Sequence, residues 1–307
     1  MSNHPLVTII TVTYNSSAFV KDAIVSVLQQ SVDDFEYIII DDNSTDNTWA
    51  IINSYHDNRI LRFRNESNVG EYENRNKAIG LAKGKYIVFV DGDDVTLNRG
   101  IEIAVAEMKL HPDCSFGIVK SENPKYIGPL SLTPADIYKL EFFGGGILNS
   151  SLANNIFRTE ALKKHHFLFG YKNSDTYTRL LLAQFSNTLI LIFPISVWRL
   201  TENQTSKKIN IENHLLQRIR FYHEKILLNT NFDLIDKTDF KPIYYLNYFK
   251  LIVYYLQRFK LKKIIQIRKY KLDSFFPVCQ FLSKKARSNY WDEYNYKNIN
   301  IKFRNKR

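Results

Sequence analysis

Over the first 120 positions, short apolar runs alternate with segments that are apolar on one face only. Residues 6–13, 35–40 and 86–90 are rich in Ile, Val and Phe, 60–64 is a shorter run built on Ile60, Leu61 and Phe63, and all are bounded by Asn, Asp, Ser and Gly. Such runs read as buried strands of a parallel sheet. Between the first two, Phe19, Ala23, Val27 and Gln30 recur at helical spacing with Ile24 and Leu28 beside them, which predicts a helix reaching Gln30. Ser16 or Ser17, after the Tyr14-Asn15 turn, is expected to cap it. A second helix is expected to open at Asn43-Ser44-Thr45-Asp46 and end near Tyr55. A third covers 71–82 and is closed by Gly84. The order βαβαβαβ predicts an α/β fold, a mostly parallel sheet flanked by helices and joined by right-handed crossovers.

Further along, the pattern predicts a helix over 99–111, a strand over 115–120 and a loop over 124–134. A flexible Gly144-Gly145-Gly146 turn, an ordered segment at 156–164 and an apolar helix over 175–185 come next. One or two strands follow within 189–200, broken at Pro194. From residue 211 the pattern is helical, with aliphatic and aromatic residues set among Lys and Arg. No internal repeat is present.

Charge divides the chain. The net charge is +11, yet residues 207–307 hold 23 Lys and Arg against 8 Asp and Glu, leaving 19 against 23 for residues 1–206. Such asymmetry indicates two parts with different tasks and places a boundary near Lys207. Two cysteines, Cys114 and Cys279, give neither a disulfide framework nor metal-ligand spacing, which fits a reducing compartment. The N-terminus has no signal-peptide pattern, and no apolar stretch reaches the length of a membrane span. These features predict a cytoplasmic protein, free or peripheral on a membrane.

Two acidic clusters follow strands directly. One is Asp41-Asp42-Asn43-Ser44, the other Asp91-Gly92-Asp93-Asp94. Open α/β sheets bind ligands outside the C-terminal ends of their strands. Carboxylates gathered there suit a divalent cation together with an anionic ligand that needs one. An enzyme site is the leading interpretation.

The order Thr13-Tyr14-Asn15, Asp41-Asp42-Asn43-Ser44, Asn68-Val69-Gly70, Arg75-Asn76 through Ala82-Lys83-Gly84-Lys85-Tyr86-Ile87, and Asp91-Gly92-Asp93-Asp94 resembles family-2 glycosyltransferases, in particular those of bacterial cell-surface glycans. The resemblance is good over 5–120, loose over 121–206 and absent beyond. It implies an inverting enzyme of the GT-A fold that uses a nucleotide-sugar donor and a divalent metal, Mn²⁺ or Mg²⁺. It further implies a catalytic domain over 1–206, with the nucleotide-sugar-binding half at 1–120 and the acceptor half at 121–206. A helical, basic extension then covers 207–307.

By the same resemblance Asp91-Gly92-Asp93 is a DXD motif, with Asp93 the metal ligand and Asp91 nearer the ribose and sugar, also within reach of the ion. Gly92 would let the backbone approach the donor. Asp42 would accept the imide N–H of a uracil, which favours UDP-sugars over CMP-sugars and leaves GDP- and dTDP-sugars open. Tyr14 would offer an aromatic face near the base, with Thr13 and Asn15 shaping the pocket. Asp94, Asn43 and Ser44 read as turn and cap residues, and Asp41 as either. Arg75 would contact the base or pyrophosphate, against an alternative ion pair with Glu71. Asp175 stands where the family's general base opens a helix, although Ser174 replaces the preceding Glu. Trp198-Arg199 resembles an aromatic–Arg pair that family members often follow with a His. None follows here, so Arg199, Lys207 or Lys208 would assist the leaving nucleotide instead. His165 and His166 read as surface residues.

In the tail, Arg258, Lys260, Lys262, Lys263, Arg268, Lys269 and Lys271 alternate with Leu256, Phe259, Leu261, Ile264, Ile265 and Ile267. Such a helix suits an anionic membrane surface, with Tyr244, Tyr245, Tyr248, Tyr254 and Tyr255 at the lipid interface. Packing on the catalytic domain is the competing interpretation, and nucleic-acid binding ranks last. The expected function is transfer of a sugar to a hydroxyl of a glycan or lipid-linked acceptor at the inner leaflet, with the 144–146 glycines forming an acceptor lid. Two alternatives stand beside it. One is a catalytically degenerate nucleotide- or membrane-binding protein on the same fold. The other is a sugar-nucleotide pyrophosphorylase, for which the Gly-rich basic loop after the first strand is absent.

Overall fold

The computed structural model describes residues 4–120, 128–142, 147–148, 150–165 and 175–199. The chain divides into two compact units, Met1–Pro134 with Leu148–Glu202, and Ala135–Ile147 with Asn203–Arg307. The first unit carries β1 (Val7–Thr13), α1 (Val20–Leu28), β2 (Phe35–Asp41), α2 (Thr48–Asn53), β3 (Ile60–Arg64), α3 (Glu71–Leu81) and β4 (Tyr86–Phe89). It continues with β5 (Val95–Thr96), α4 (Gly100–Leu110), β6 (Cys114–Val119) and β7 (Leu130–Leu132). After α5 (Pro134–Phe142), which lies almost wholly in the second unit, come β8 (Asn155–Arg158), α6 (Thr159–His165), α7 (Asp175–Leu182), β9 (Asn187–Leu191) and β10 (Ser196–Val197).

Eight strands form one sheet in the order β3-β2-β1-β4-β8-β6-β9-β7, while β5 and β10 pair separately. Strands β1 to β4 are mutually parallel, as their apolar runs predict, with Thr13 of β1 opposite Asp41 of β2. The antiparallel β8 joins β4 to β6, and β9 runs parallel to β6. The 124–134 stretch read as a loop contains β7, a three-residue edge strand paired antiparallel with β9. Three residues are too few for a period to register.

The central strands are buried on both faces. Ile9, Ile10, Ile38, Ile39 and Ile40 are all inaccessible or nearly so. Each contributes about 1.5–3 kcal/mol relative to an exposed side chain, against a backbone ordering cost of about 1–2 kcal/mol per residue. Polar groups inside the sheet are paired. Thr11 Oγ1 and Tyr37 Oη lie 2.9 Å apart. Glu36 Oε1 accepts from Thr8 Oγ1 at 2.6 Å, from Lys83 N at 2.5 Å and from Gly84 N at 3.2 Å. This arrangement explains Gly84 differently from the sequence. A Cβ there would lie 2.4 Å from Thr8 N and 2.5 Å from Val7 C, so the glycine permits close approach to β1 rather than closing α3.

The cap expectation at α1 is overturned. The helix begins at Val20 with no side-chain cap. Ser16 N donates to Thr48 Oγ1 and Ser17 N to Asp46 Oδ2, so both serines tie the β1–α1 loop to the β2–α2 loop. The second helix likewise starts later than expected, at Thr48, where Asp46 Oδ1 accepts from Thr48 N. Cys114 is a buried free thiol, which burial pushes up to about 11. No helix among the described residues is long and apolar enough to cross a membrane. The 144–146 glycines, His166, the boundary near Lys207, Cys279 and the basic tail lie outside the described residues.

Candidate functional site

The site lies at the C-terminal ends of β1, β2 and β4. Sharp turns follow β1 and β2, with Asn15 at φ 50° and Asn43 at φ 62°, a region that Asn tolerates better than most residues. The two turns hold each other. Asn15 N donates to Ser44 Oγ, and Asn15 Oδ1 accepts from Thr45 N, both at 2.9 Å. Asn15 therefore acts first as a brace between loops. Thr13 is buried, whereas Tyr14 is about half-exposed.

The two aspartates after β2 have separate roles. Asp41 is fully buried and accepts from Ser44 N at 3.1 Å and Ser44 Oγ at 2.5 Å, with Arg64 Nε at 3.3 Å. It is a turn residue, which closes the question left open by the sequence. Asp42 Oδ1 accepts from Asn65 Nδ2 and Val69 N at 2.9 Å, and Oδ2 from Gly70 N at 2.8 Å. Burial opposes its charge, but these donors and the Asn74 amide hold it below the usual carboxylate range. Asp42 thus clamps the 65–70 loop. Three of its roughly four acceptor positions are already filled, so a nucleobase N–H would join or displace a loop donor.

Asp91-Gly92-Asp93-Asp94 follows β4 as a turn in which Asp94 N donates to Asp91 O at 3.0 Å. A Cβ on Gly92 would lie 2.9 Å from Thr13 Oγ1 and 3.1 Å from Thr13 Cβ, so this glycine lets the turn pack against the end of β1. Asp91 Oδ1 accepts from Arg75 Nη2 at 2.8 Å. Asp93 is partly exposed. Its carboxylate offers hard oxygen donors that fit Mg²⁺ or Mn²⁺. Among the described residues no group of three or more His, Cys, Asp or Glu could hold a metal ion. Mg²⁺ is commonly held through one or two carboxylates with the remaining ligands from substrate phosphates and water.

Asp94 is not a helix cap. The segment after it forms β5, which pairs with β10 (Thr96 opposite Ser196, Val95 opposite Val197). Asp94 Oδ1 accepts from Arg199 N at 3.0 Å, while Oδ2 is buried with no hydrogen-bond partner among the described residues. Burial pushes this carboxyl up to about 7, opposed by the Arg199 N–H and reinforced by Asp91 and Asp93. The Arg199 side chain points elsewhere. Its Nη1 meets Asp22 Oδ2 at 3.0 Å and its guanidinium lies 5.3 Å from the Phe19 ring centroid. These contacts tie Arg199 to α1 and the residue before it. Trp198 is about half-exposed.

Asp175 opens α7, and the structure brings it to Arg75. Arg75 Nη1 lies 3.7 Å from Asp175 Oδ1, and Nη2 lies 3.7 Å from Glu71 Oε2. The Glu71 ion pair read from the sequence is present, as the longer contact beside Asp91. The three carboxylates hold the Arg75 guanidinium charged, against its burial. Glu71 keeps 42% of its side chain exposed, and its partial desolvation pushes it up, opposed by Arg75 and reinforced by Asp91 and Asp175.

One residue of this site carried no signal in the sequence. Arg179 is 1% exposed, donates from Nη1 to Asn155 Oδ1 and from Nη2 to Ser150 O, both at 3.0 Å, and fixes α7 against β8. Four residues after Asp175, it reads in sequence as a helix-surface ion-pair partner.

The model of the family described as glycosyl transferase family 2 matches residues 8–165. An Escherichia coli UDP-Glc:alpha-D-GlcNAc-diphosphoundecaprenol beta-1,3-glucosyltransferase, WfaP, is 44% identical over 89 residues. That stretch covers 29% of this chain and 36% of the relative's length. Among solved structures, S. aureus TarS 1–349 in complex with UDP-GlcNAc superposes with a TM-score of 0.57 at 20% identity over 80% of each chain. A mannosyltransferase from Pyrobaculum calidifontis in complex with GDP-Man and Mn²⁺ gives 0.59 at 15% identity, over 96% of this chain and 84% of that one. At such identities these two structures share the fold.

Proposed function

This chain belongs to glycosyl transferase family 2, and we propose that it is a metal-dependent, inverting glycosyltransferase using a UDP-sugar. The observation that carries this reading is the convergence of Asp91, after β4, and Asp175, opening α7, on the Arg75 guanidinium. It sets a strand-end carboxylate suited to a donor sugar beside a carboxylate suited to deprotonate an acceptor.

In this reading the acceptor hydroxyl oxygen attacks the anomeric carbon from the face opposite the diphosphate. The new C–O bond forms as the bond to the diphosphate oxygen breaks, and the electron pair leaves with the nucleoside diphosphate. Asp175 takes the hydroxyl proton. Asp93, with Asp91 beside it, would hold Mn²⁺ or Mg²⁺, which when bound offsets charge on the leaving diphosphate. Tyr14 faces the base, Thr13 and Gly92 shape the floor beneath the donor, and Asn15 and Asp42 hold the surrounding loops.

The donor preference rests on Asp42 and on relatives that name UDP-sugars. The P. calidifontis neighbour, with GDP-Man, marks the competing base. A lipid-linked or glycan acceptor follows from the E. coli relative. We assign residues 1–206 to catalysis and the basic 207–307 segment to the anionic inner leaflet where such an acceptor would lie. Failure to co-sediment with anionic liposomes at physiological salt would remove that placement. The catalytic reading is tested by release of UDP from UDP-sugars with and without Mn²⁺. Wild-type release that needs metal and is lost in Asp175→Asn supports it; release indifferent to both refutes it.

A further inference from the structure

We infer that Arg75 is a positioning residue, whose buried guanidinium holds Asp175 in register with Asp91 and acts on the reaction through Asp175 rather than by binding the donor. This deepens the proposed function and rests on Asp175 being the base. Three elements distant in sequence meet here: α3 supplies Arg75, the turn after β4 supplies Asp91, and the start of α7 supplies Asp175.

Arg75 is 5% exposed, and its two terminal nitrogens are each directed at a carboxylate. Nη2 donates to Asp91 Oδ1 at 2.8 Å, and Nη1 faces Asp175 Oδ1 at 3.7 Å. The Tyr72 ring lies against the guanidinium, with its centroid 5.6 Å from Cζ. Both terminal nitrogens thus face carboxylates of the protein itself. Among the described residues, Asp175 Oδ1 is buried and accepts no hydrogen bond, and the Arg75 guanidinium lies beside it. The planar fork matters as well. A lysine at position 75 supplies a point charge without two nitrogens fixed at the separation of two carboxylates.

The test uses the full chain and four variants: Arg75→Lys, Arg75→Gln, Asp175→Asn and the Arg75→Gln/Asp175→Asn double. Titration calorimetry gives the UDP Kd with Mn²⁺, and UDP release gives kcat. The inference predicts that both Arg75 variants lose about 30-fold or more in kcat while the Kd changes by less than about threefold. In the Asp175→Asn background, removing Arg75 should cost less than about threefold further, because residues acting as a unit are not additive.

A Kd weakened about tenfold or more in Arg75→Lys would make Arg75 a donor contact and overturn the inference. So would a full additional loss in the double variant. The Kd measurement decides between contact and positioning even where turnover is slow. Failure of the proposed function looks different: wild type that binds no nucleotide with metal, or Asp175→Asn that keeps the wild-type rate.

Discussion

Asp94→Asn isolates a cost built into the site. Asp94 is 1% exposed, its Oδ1 accepts the Arg199 N–H, and its Oδ2 has no partner among the described residues. The folded carboxyl titrates near 7, against an ordinary value of 3.8. A raised carboxyl binds more protons in the folded state than in the unfolded one. Its contribution to stability therefore falls as pH rises between the two values and is constant above the higher. At about 1.4 kcal/mol per pH unit, the loss between pH 4.5 and pH 8 is on the order of 3 kcal/mol. Asparagine keeps the Oδ1 acceptor and carries no charge, and its amide meets the same unpaired surroundings as a protonated carboxyl. Wild type and variant should therefore melt close together at pH 4.5, and the variant should gain on wild type as pH rises. At about 2 °C per kcal/mol for a chain of this size, the gain at pH 8 is about 6 °C. The assay is thermal unfolding by circular dichroism in EDTA across that range. A Tm difference that is flat with pH, or that favours wild type at pH 8, refutes the reasoning.

Arg179→Met should lower stability by about 3 kcal/mol, since two hydrogen bonds from a charged donor are lost at about 1.5–3 kcal/mol each and part of that is regained by removing a buried charge. Because Arg179 anchors the helix that begins at Asp175, kcat should fall about tenfold with the UDP Kd nearly unchanged; unchanged Tm and kcat would show that α7 does not depend on it. Gly70→Ala meets no atom within 4 Å but places an L side chain at φ 93°, ψ 158°, a conformation that costs about 1–3 kcal/mol for residues other than glycine. The strain should loosen the 65–70 loop from Asp42 and weaken UDP binding about tenfold, whereas wild-type affinity in calorimetry would separate the loop from the base site.

Strands β1, β2 and β4 were legible because they are buried on both faces. Each writes a continuous apolar run, whereas β3, a partly exposed edge strand, was read from Ile60, Leu61 and Phe63 and spans Ile60–Arg64 as expected. The short strands were not. β5 and β10 are two residues each and depend on one another, with Asn154 Oδ1 accepting from Ile195 N and Ser196 N to hold the second. The positions of Asp42, Asp91 and Asp93 after their strands followed from the same runs. Their partners did not, because Arg75, Asp91 and Asp175 meet only through the packing of α3, β4 and α7. Ser16 and Ser17 show the opposite failure. Their residue type suits a cap, but the neighbouring loop supplies Thr48 and Asp46, and the backbone N–H groups of the serines go there. Gly84 and Gly92 were rightly singled out, yet each relieves a contact within the protein that no local pattern records.

The central claim is that carboxylates at these strand ends bind a nucleotide through a metal. Titration of UDP, GDP and CMP into the full chain, with Mn²⁺ and with EDTA, beside Asp93→Ala, tests it most directly. UDP binding should require Mn²⁺, exceed that of CMP and disappear in Asp93→Ala. Nucleotide binding of equal strength in EDTA and in Asp93→Ala would contradict it, and tighter binding of GDP than UDP would keep the metal site while overturning the uracil assignment of Asp42.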